Sequence, residues 1–254
     1  AWSAMAFGCR QVPPTPTPAQ GFGPAQGLSP PHVAGDHHLV GERVASDPGT
    51  EAFLVPLRQR VEDAVGEVLG EASASITKGG PESPLGNFVT DVMRARAAQE
   101  LGQPVHVAVM NNGGLRAPIP AGPITRRTIL EVMPFENRLL VVHLSGAQVL
   151  ELAAQMAAQG GVPQSGMKLA IRKRELIEAS LLEGPIDPAG AYLVATTDYL
   201  ANVGGKLSVL GRDPSATDLG LGLRAVLEQA VSRRKVLTPL RDGRTRVLRK
   251  GDKP

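Results

Sequence analysis

The stretch from Gln11 to Gly35 constrains this chain more than any other feature. It reads Pro13-Pro14-Thr15-Pro16-Thr17-Pro18 and continues through Gly21, Gly23, Pro24, Gly27, Pro30 and Pro31. Proline fixes φ and removes a backbone donor, and glycine loses the most entropy on ordering, so this segment cannot build a core. Gly21-Phe22-Gly23 with Gly27 superficially suggests a phosphate loop, but no strand precedes it and no helix follows. Asp36-His37-His38 borders the segment without a further ligand at useful spacing, so no metal site is assigned there. Folded structure must come from the rest of the 254 residues, enough for one large domain or two small ones.

From Thr50 onward the pattern is globular. Glu51 to Val65 reads as a helix interrupted, or started late, by Pro56. Ser83-Pro84 is an N-cap and first-turn pair, and Leu85, Phe88, Val89, Val92 and Met93 follow at helical spacing toward Leu101-Gly102. Val105 to Met110 and Leu139 to Leu144 read as buried strands. Ser145 caps a helix whose apolar face is Val149, Leu152, Ala153 and Met156. Tyr192 to Thr196 is a third strand, and Thr217 is read as the cap of a helix reaching about Ala230. Arg241-Asp242-Gly243-Arg244 reads as a hairpin turn between two short strands. Interleaved helices and strands predict a mixed α/β (α+β) class, with residues 46–254 as one domain.

Composition excludes several classes. No run approaches the roughly 18 apolar residues of a spanning helix. The net charge of +3 is too small to indicate nucleic acid as a partner. The basic excess is local: between Arg233 and Lys253 there are nine Lys/Arg and two Asp. That run is either a solvated surface or a contact for phosphate-rich or lipid headgroups. The single cysteine, Cys9, cannot form a disulfide within the chain. It follows Ala1-Trp2-Ser3-Ala4-Met5-Ala6-Phe7-Gly8, an apolar run ending in a small residue. This resembles the end of a bacterial lipoprotein signal, with residues 1–8 as a signal-peptide remnant, Cys9 as the lipidated residue and 9–45 as a Pro/Gly-rich linker. The location so implied is the cell envelope, on its periplasmic or extracellular side, with a membrane anchor at Cys9. A free thiol is the alternative.

Three segments carry a more specific signal. The first is Glu82-Ser83-Pro84-Leu85-Gly86-Asn87-Phe88-Val89-Thr90-Asp91. The second is Met110-Asn111-Asn112-Gly113-Gly114-Leu115-Arg116, followed by Met133-Pro134-Phe135-Glu136-Asn137. The third runs from Tyr192 through Thr197-Asp198-Tyr199-Leu200 to Gly204-Gly205. In this order and at this separation they resemble the C-terminal, substrate-binding domain of the 5′-nucleotidase family. The resemblance implies a nucleoside or nucleotide ligand, with Phe135 and Tyr199 where the family places its base-sandwiching rings. Two flat rings can hold a base from both sides, each contributing roughly 1–3 kcal/mol. Alternatively, Phe135 beside Pro134 is a core residue. Asn111 and Arg116 bracket the Gly113-Gly114 turn, where the backbone can approach a ligand closely and a guanidinium can meet a phosphate or a ribose edge. The alternatives are a surface salt bridge for Arg116 and an Asx-type bond for Asn111.

The chain also departs from the family. An Asp follows the Gly-Gly pair in the family and accepts from the ribose hydroxyls. Here Lys206 stands in that place, after an apparent insertion at Val203, and a lysine only donates. Of the family's metal-ligand patterns, Gly-Asn-His-Glu and Gly-His-x-His do not occur here: Gly86-Asn87 is followed by Phe88, and Asp36-His37-His38 matches Asp-x-His without the patterns that should accompany it. No catalytic residue, metal ligand or cofactor is therefore assigned to this chain, and His106 and His143 are given structural roles. Two expectations follow. One is the substrate-binding subunit of a split 5′-nucleotidase, serving nucleotide catabolism with a separate metallophosphatase chain. The other is a non-enzymatic accessory lipoprotein of an envelope complex, with a degenerate nucleotide pocket.

Overall fold

A computed structural model describes residues 45–252. Cys9, the signal-like run before it, the Pro/Gly-rich segment and Asp36-His37-His38 lie outside the described residues. Gly49–Pro254 make one compact unit.

In chain order the elements are α1 (Pro48–Val65), β1 (Val68–Ala72), α2 (Pro84–Leu101), β2 (Val107–Val109), β3 (Gly122–Thr125), α3 (Arg126–Val132) and β4 (Arg138–Ser145). They continue as α4 (Gly146–Ala158), β5 (Gln164–Ser165), β6 (Met167–Arg172), β7 (Glu175–Leu181) and β8 (Ala191–Thr197). The last are α5 (Asp198–Val203), β9 (Thr217–Gly222), α6 (Leu223–Arg234), β10 (Val236–Leu237) and β11 (Thr245–Val247). The mixed α/β class stands.

The central sheet has five strands in the order β5-β2-β8-β4-β9. Its three inner strands, β2, β8 and β4, are largely apolar on both sides because both faces are covered. Ala108, Met110, Leu139, Val141 and Ala195 join a core with α2 and α6 residues such as Val89, Met93, Leu223 and Leu227. Their alternates Val107, Val109, Val142, Leu144 and Val194 join a second core with Val149, Leu152 and Met156 of α4. The period of two along each strand sorts side chains between these layers. Two three-stranded sheets flank the centre, β10-β1-β3 and β11-β6-β7.

Several local signals act as read. Ser83 caps α2, accepting from Gly86 N at 3.1 Å, and Gly102 ends it in the left-handed conformation at φ 66°. Ser145 forms a capping box with Gln148 at the start of α4. The helix at residues 48–65 runs on through Pro56, with no buried residue.

Two readings are corrected. Thr217 opens strand β9, and the following helix begins only at Leu223 behind Gly222. Thr217 pairs with Val141 of β4, so the sheet edge wins over the local capping signal. The segment 241–244 turns, but its flanking strands do not form a hairpin. Strand β10 pairs parallel to β1 and β11 parallel to β6, each captured by a partner distant in sequence. The β6–β7 hairpin, the β1–β3 pair and strand β5 were not read from sequence at all.

The first sequence motif has an architectural task. Glu82 accepts from the Asn87 side chain at 2.8 Å and from Asp242 N at 2.9 Å, while Asn87 donates to Leu240 O at 3.1 Å. Arg244 is nearly buried and forks onto Asp91 at 2.7 and 3.1 Å and onto Asp242 at 2.9 and 2.6 Å. Burial alone would push the Arg244 guanidinium down, but its bonds to Asp242 and Asp91 outweigh that and hold it above its usual value. The same hydrogen bonding holds the Asp242 carboxyl below the usual carboxylate range. The motif thus fastens the C-terminal stretch to the start and middle of α2.

Candidate ligand-binding site

Strand pairing brings the second and third motifs together. Strands β4 and β8 are antiparallel, with Leu139 opposite Thr197. The residues just before β4, including Phe135 and Asn137, therefore emerge beside those just after β8, including Tyr199. Strand β2 runs parallel to β8, with Ala108 opposite Ala195, so Asn111 and the turn after it leave from the same edge. A cavity of about 410 Å³ opens there, lined by Asn111, Gly113, Gly114, Arg116, Phe135, Asn137 and Tyr199.

Phe135 is 43% exposed and Tyr199 50%, so neither ring belongs to the core. The Arg116 guanidinium stands 5.8 Å from the Phe135 ring centroid, within cation–π range. Its Nη1 donates to Gly113 O at 3.3 Å, and among the described residues it forms no ion pair. Asn111 heads a short turn at Asn112–Gly114, and its carboxamide makes no capping bond. The Asx alternative for Asn111 and the salt-bridge alternative for Arg116 are thus not adopted, and both residues line the cavity. A side chain at Gly114 would collide with the Met110 methyl and come within 3.0 Å of Asn111 Oδ1, so only glycine leaves that wall open.

Two residues that sequence reasoning did not single out hold the ring-bearing loops. Arg224 of α6 donates through Nε to Met133 O at 3.1 Å, and through Nη2 to Pro134 O at 3.2 Å and Phe135 O at 3.3 Å. It also pairs with Glu136 at 2.7 Å. Asp198 Oδ1 accepts from Tyr199 N at 2.8 Å and from Arg138 N at 3.1 Å, tying the Tyr199 loop to the Phe135 loop. Asp198 was visible as part of the third motif; nothing in the sequence marked Arg224, whose partners, three carbonyls and the Glu136 carboxylate, lie some 90 positions away. Asn137 was visible as the end of the Pro-Phe-x-Asn run.

Lys206 is placed differently from the rest. It is exposed in the turn after α5 and is not among the residues lining the cavity. Tyr199 sits in the first turn of helix α5, and the rest of that helix and the Gly204-Gly205 pair, at φ 64° and 54°, separate Lys206 from it along the chain. Val203, read as an insertion, is the exposed last residue of that helix. His106 accepts from Leu193 N at 3.0 Å and meets Tyr192 edge-on at 5.2 Å, and His143 pairs with Asp213 at 3.3 Å. Both histidines are thus engaged with the sheet, away from the cavity lining. Among the described residues no group of three or more His, Cys, Asp or Glu is placed to hold a metal ion.

The family model described as 5′-nucleotidase, C-terminal domain, matches residues 64–212. The chain belongs to that family. The trifunctional nucleotide phosphoesterase protein YfkN of Bacillus subtilis is 30% identical over 205 residues, covering 71% of this chain and 14% of that protein. Silent protein UshA(0) of Salmonella typhimurium is 26% identical over 209 residues, covering 78% of this chain and 37% of that protein. Among solved structures, the 5′-nucleotidase precursor from Thermus thermophilus superposes with a TM-score of 0.69 at 26% identity, covering 78% of this chain and 42% of that one. This 5′-nucleotidase C-terminal domain therefore corresponds to well under half the length of each of these relatives.

Proposed function

We propose that this 5′-nucleotidase C-terminal domain holds a nucleotide between Phe135 and Tyr199, with Arg116 on its anionic part and Asn111 and Asn137 on its polar edges. The observation that carries the reading is the convergence of these side chains on one cavity of about 410 Å³, from the segments after β2, before β4 and at the start of α5. Arg116 is the one ionised side chain among the lining residues, so the site favours a ligand with a phosphate over a bare nucleoside. Lys206 stays outside the contact set. The ribose hydroxyls then rely on carboxamides and backbone groups in place of a carboxylate.

In this reading the domain binds and orients, and a metallophosphatase unit performs the hydrolysis. The Bacillus nucleotide phosphoesterase and the Thermus 5′-nucleotidase precursor are matched over 14% and 42% of their lengths, which leaves room in them for a second unit. A metallophosphatase carried on a separate chain would make this the binding subunit of a split enzyme in nucleotide catabolism. Cys9, after Gly8 and before the Pro/Gly-rich stretch, supports attachment at the cell envelope through a lipid. Mass spectrometry of the native protein tests this: unmodified Cys9 with residues 1–8 intact refutes it.

Titration calorimetry with AMP, adenosine and adenine tests the ligand. AMP should bind tightest, and Phe135→Ala should weaken it. Absence of heat with all three, or affinity indifferent to Phe135, overturns the reading in favour of an accessory envelope protein with a decayed pocket. Purified protein supplied with Zn²⁺ or Mn²⁺ should leave AMP intact, and chelator-sensitive turnover would overturn the division of labour.

A further inference from the structure

The basic C-terminal run has no part in the cavity, yet the fold gathers it with a second basic segment. Strand β11 lies parallel to β6, with Val247 opposite Ile171, and Leu248 N donates to Ile171 O at 2.7 Å. Arg249 and Lys250 are thereby delivered to the end of β6, where Arg172-Lys173-Arg174 begin the connection to β7. Arg172 Nη2 donates to Asp252 O at 2.6 Å and closes the two segments on each other. Lys173, Arg174, Arg249 and Lys250 are exposed. Among the described residues none of these four side chains enters an ion pair. Glu175 and Asp252 are the acids at this end, and Asp252 is engaged by Arg249 N at 2.7 Å.

The turn itself is a poor choice for folding. Arg172 pairs with Glu175, so Lys173 and Arg174 are the whole connection, and both hold positive φ, 51° and 68°. Such two-residue turns favour Asn-Gly because a side chain is disfavoured in the left-handed region. Two long cations stand where folding alone selects small residues. Backbone strain of this kind is a sign of a working surface.

We propose that this tip is an electrostatic docking surface for an anionic phospholipid membrane. Five cations gather at this hairpin end, and Ile177 of β7 and Val247 of β11, 37% and 54% exposed, add aliphatic surface on the strands that lead to it. Cations mixed with aliphatic side chains suit a headgroup layer, where each Lys or Arg adds about 1 kcal/mol. None of the residues at this tip is aromatic, so no platform for stacking bases is offered. The proposal is independent of the nucleotide site and of any modification of Cys9.

The test is vesicle cosedimentation of the full chain carrying Cys9→Ser, so that no acyl group contributes. Vesicles of phosphatidylcholine with about one-third phosphatidylglycerol are compared with phosphatidylcholine alone, at low and high salt. Retention should require the anionic lipid and fall steeply with salt. The double variant Lys173→Asn/Arg174→Gly should lower the partition coefficient by roughly 30-fold, about fivefold for each charge removed. It should melt no lower than the parent, because the turn is relieved. Arg249→Gln/Lys250→Gln should act in the same direction by a different route. Equal retention on neutral vesicles, no retention on either, or retention unchanged in both double variants overturns the proposal, as does binding to an oligonucleotide in place of lipid.

Discussion

The Arg116 guanidinium lies 5.8 Å from the centre of the Phe135 ring, and both border the cavity that Tyr199 also lines from the start of α5. A cation held on one face of a half-exposed ring fixes that ring's position before any ligand arrives. Replacing Phe135 or Tyr199 by Ala should each weaken nucleotide binding by about five- to a hundredfold, the loss of one stacking surface. Arg116→Lys should not restore the parent affinity, since a lysine keeps the charge and loses the planar fork. Calorimetry on the folded variants decides both.

Lys206 should be almost silent. Its position in the family resemblance suggests that Lys206→Asp would restore an acceptor for ribose. It lies beyond the cavity lining in the turn after α5, so the substitution should change AMP affinity by no more than about twofold, within a few tenths of a kcal/mol. A tenfold gain would show that the turn moves onto the ligand.

Asp198 acts through other residues. Its Oδ1 joins Tyr199 N and Arg138 N, so Asp198→Ala releases two backbone donors and uncouples the ring-bearing loops. Binding should weaken by roughly tenfold, the scale of a charge-assisted hydrogen bond. Asp198→Asn keeps an acceptor oxygen and should recover part of the loss. A purely structural role would instead lower the melting temperature of Asp198→Ala without changing the affinity of the folded fraction.

The Arg244 cluster should dominate stability. Asp91→Ala leaves the nearly buried guanidinium with Asp242 and Gln164 O as its remaining partners, and should destabilise by about 1.5–3 kcal/mol. Asp242 is more exposed, and Asp242→Asn, which keeps an acceptor oxygen for Arg244, should cost less than Asp91→Ala. Denaturant midpoints of the two variants compare them directly.

Asp213 makes the domain acid-sensitive. Burial would raise its carboxyl, but bonds from His143 N, the Ser215 hydroxyl, Ser215 N and the His143 ring bring it down to about 2 from an ordinary 3.8. A lowered carboxyl stabilises the fold above its unfolded-state value, and this contribution is lost as pH falls from near 4 toward 2. Asp213→Asn should melt below the parent at pH 7, and the gap should narrow across that interval. A gap that stays constant to pH 2 would contradict the assignment.

The local elements of this protein were legible because their causes are local. A serine next to the first turn caps a helix whatever surrounds it, so Ser83 and Ser145 mark α2 and α4 correctly. Apolar runs at Leu139–Leu144 and Tyr192–Thr196 read as strands because both faces of the central sheet are covered. Asn111, Arg116, Phe135 and Tyr199 could be named from their motifs, but their meeting at one cavity follows from the register of β4 and β2 on β8. Pairing partners are non-local, and so Thr217 misled: its sequence fits a cap, yet an open edge of β4 takes it as a strand. The same holds for β10 and β11, which flank a turn and nevertheless pair with β1 and β6. The β6–β7 hairpin was hidden for another reason, since Lys173 and Arg174 occupy left-handed positions that no local rule assigns to them. Arg224 and Asp198 acquire their roles only through groups distant in sequence that folding brings within hydrogen-bond distance. Short-range sterics and capping wrote the elements into the sequence, and long-range hydrogen bonding and burial decided what those elements assemble.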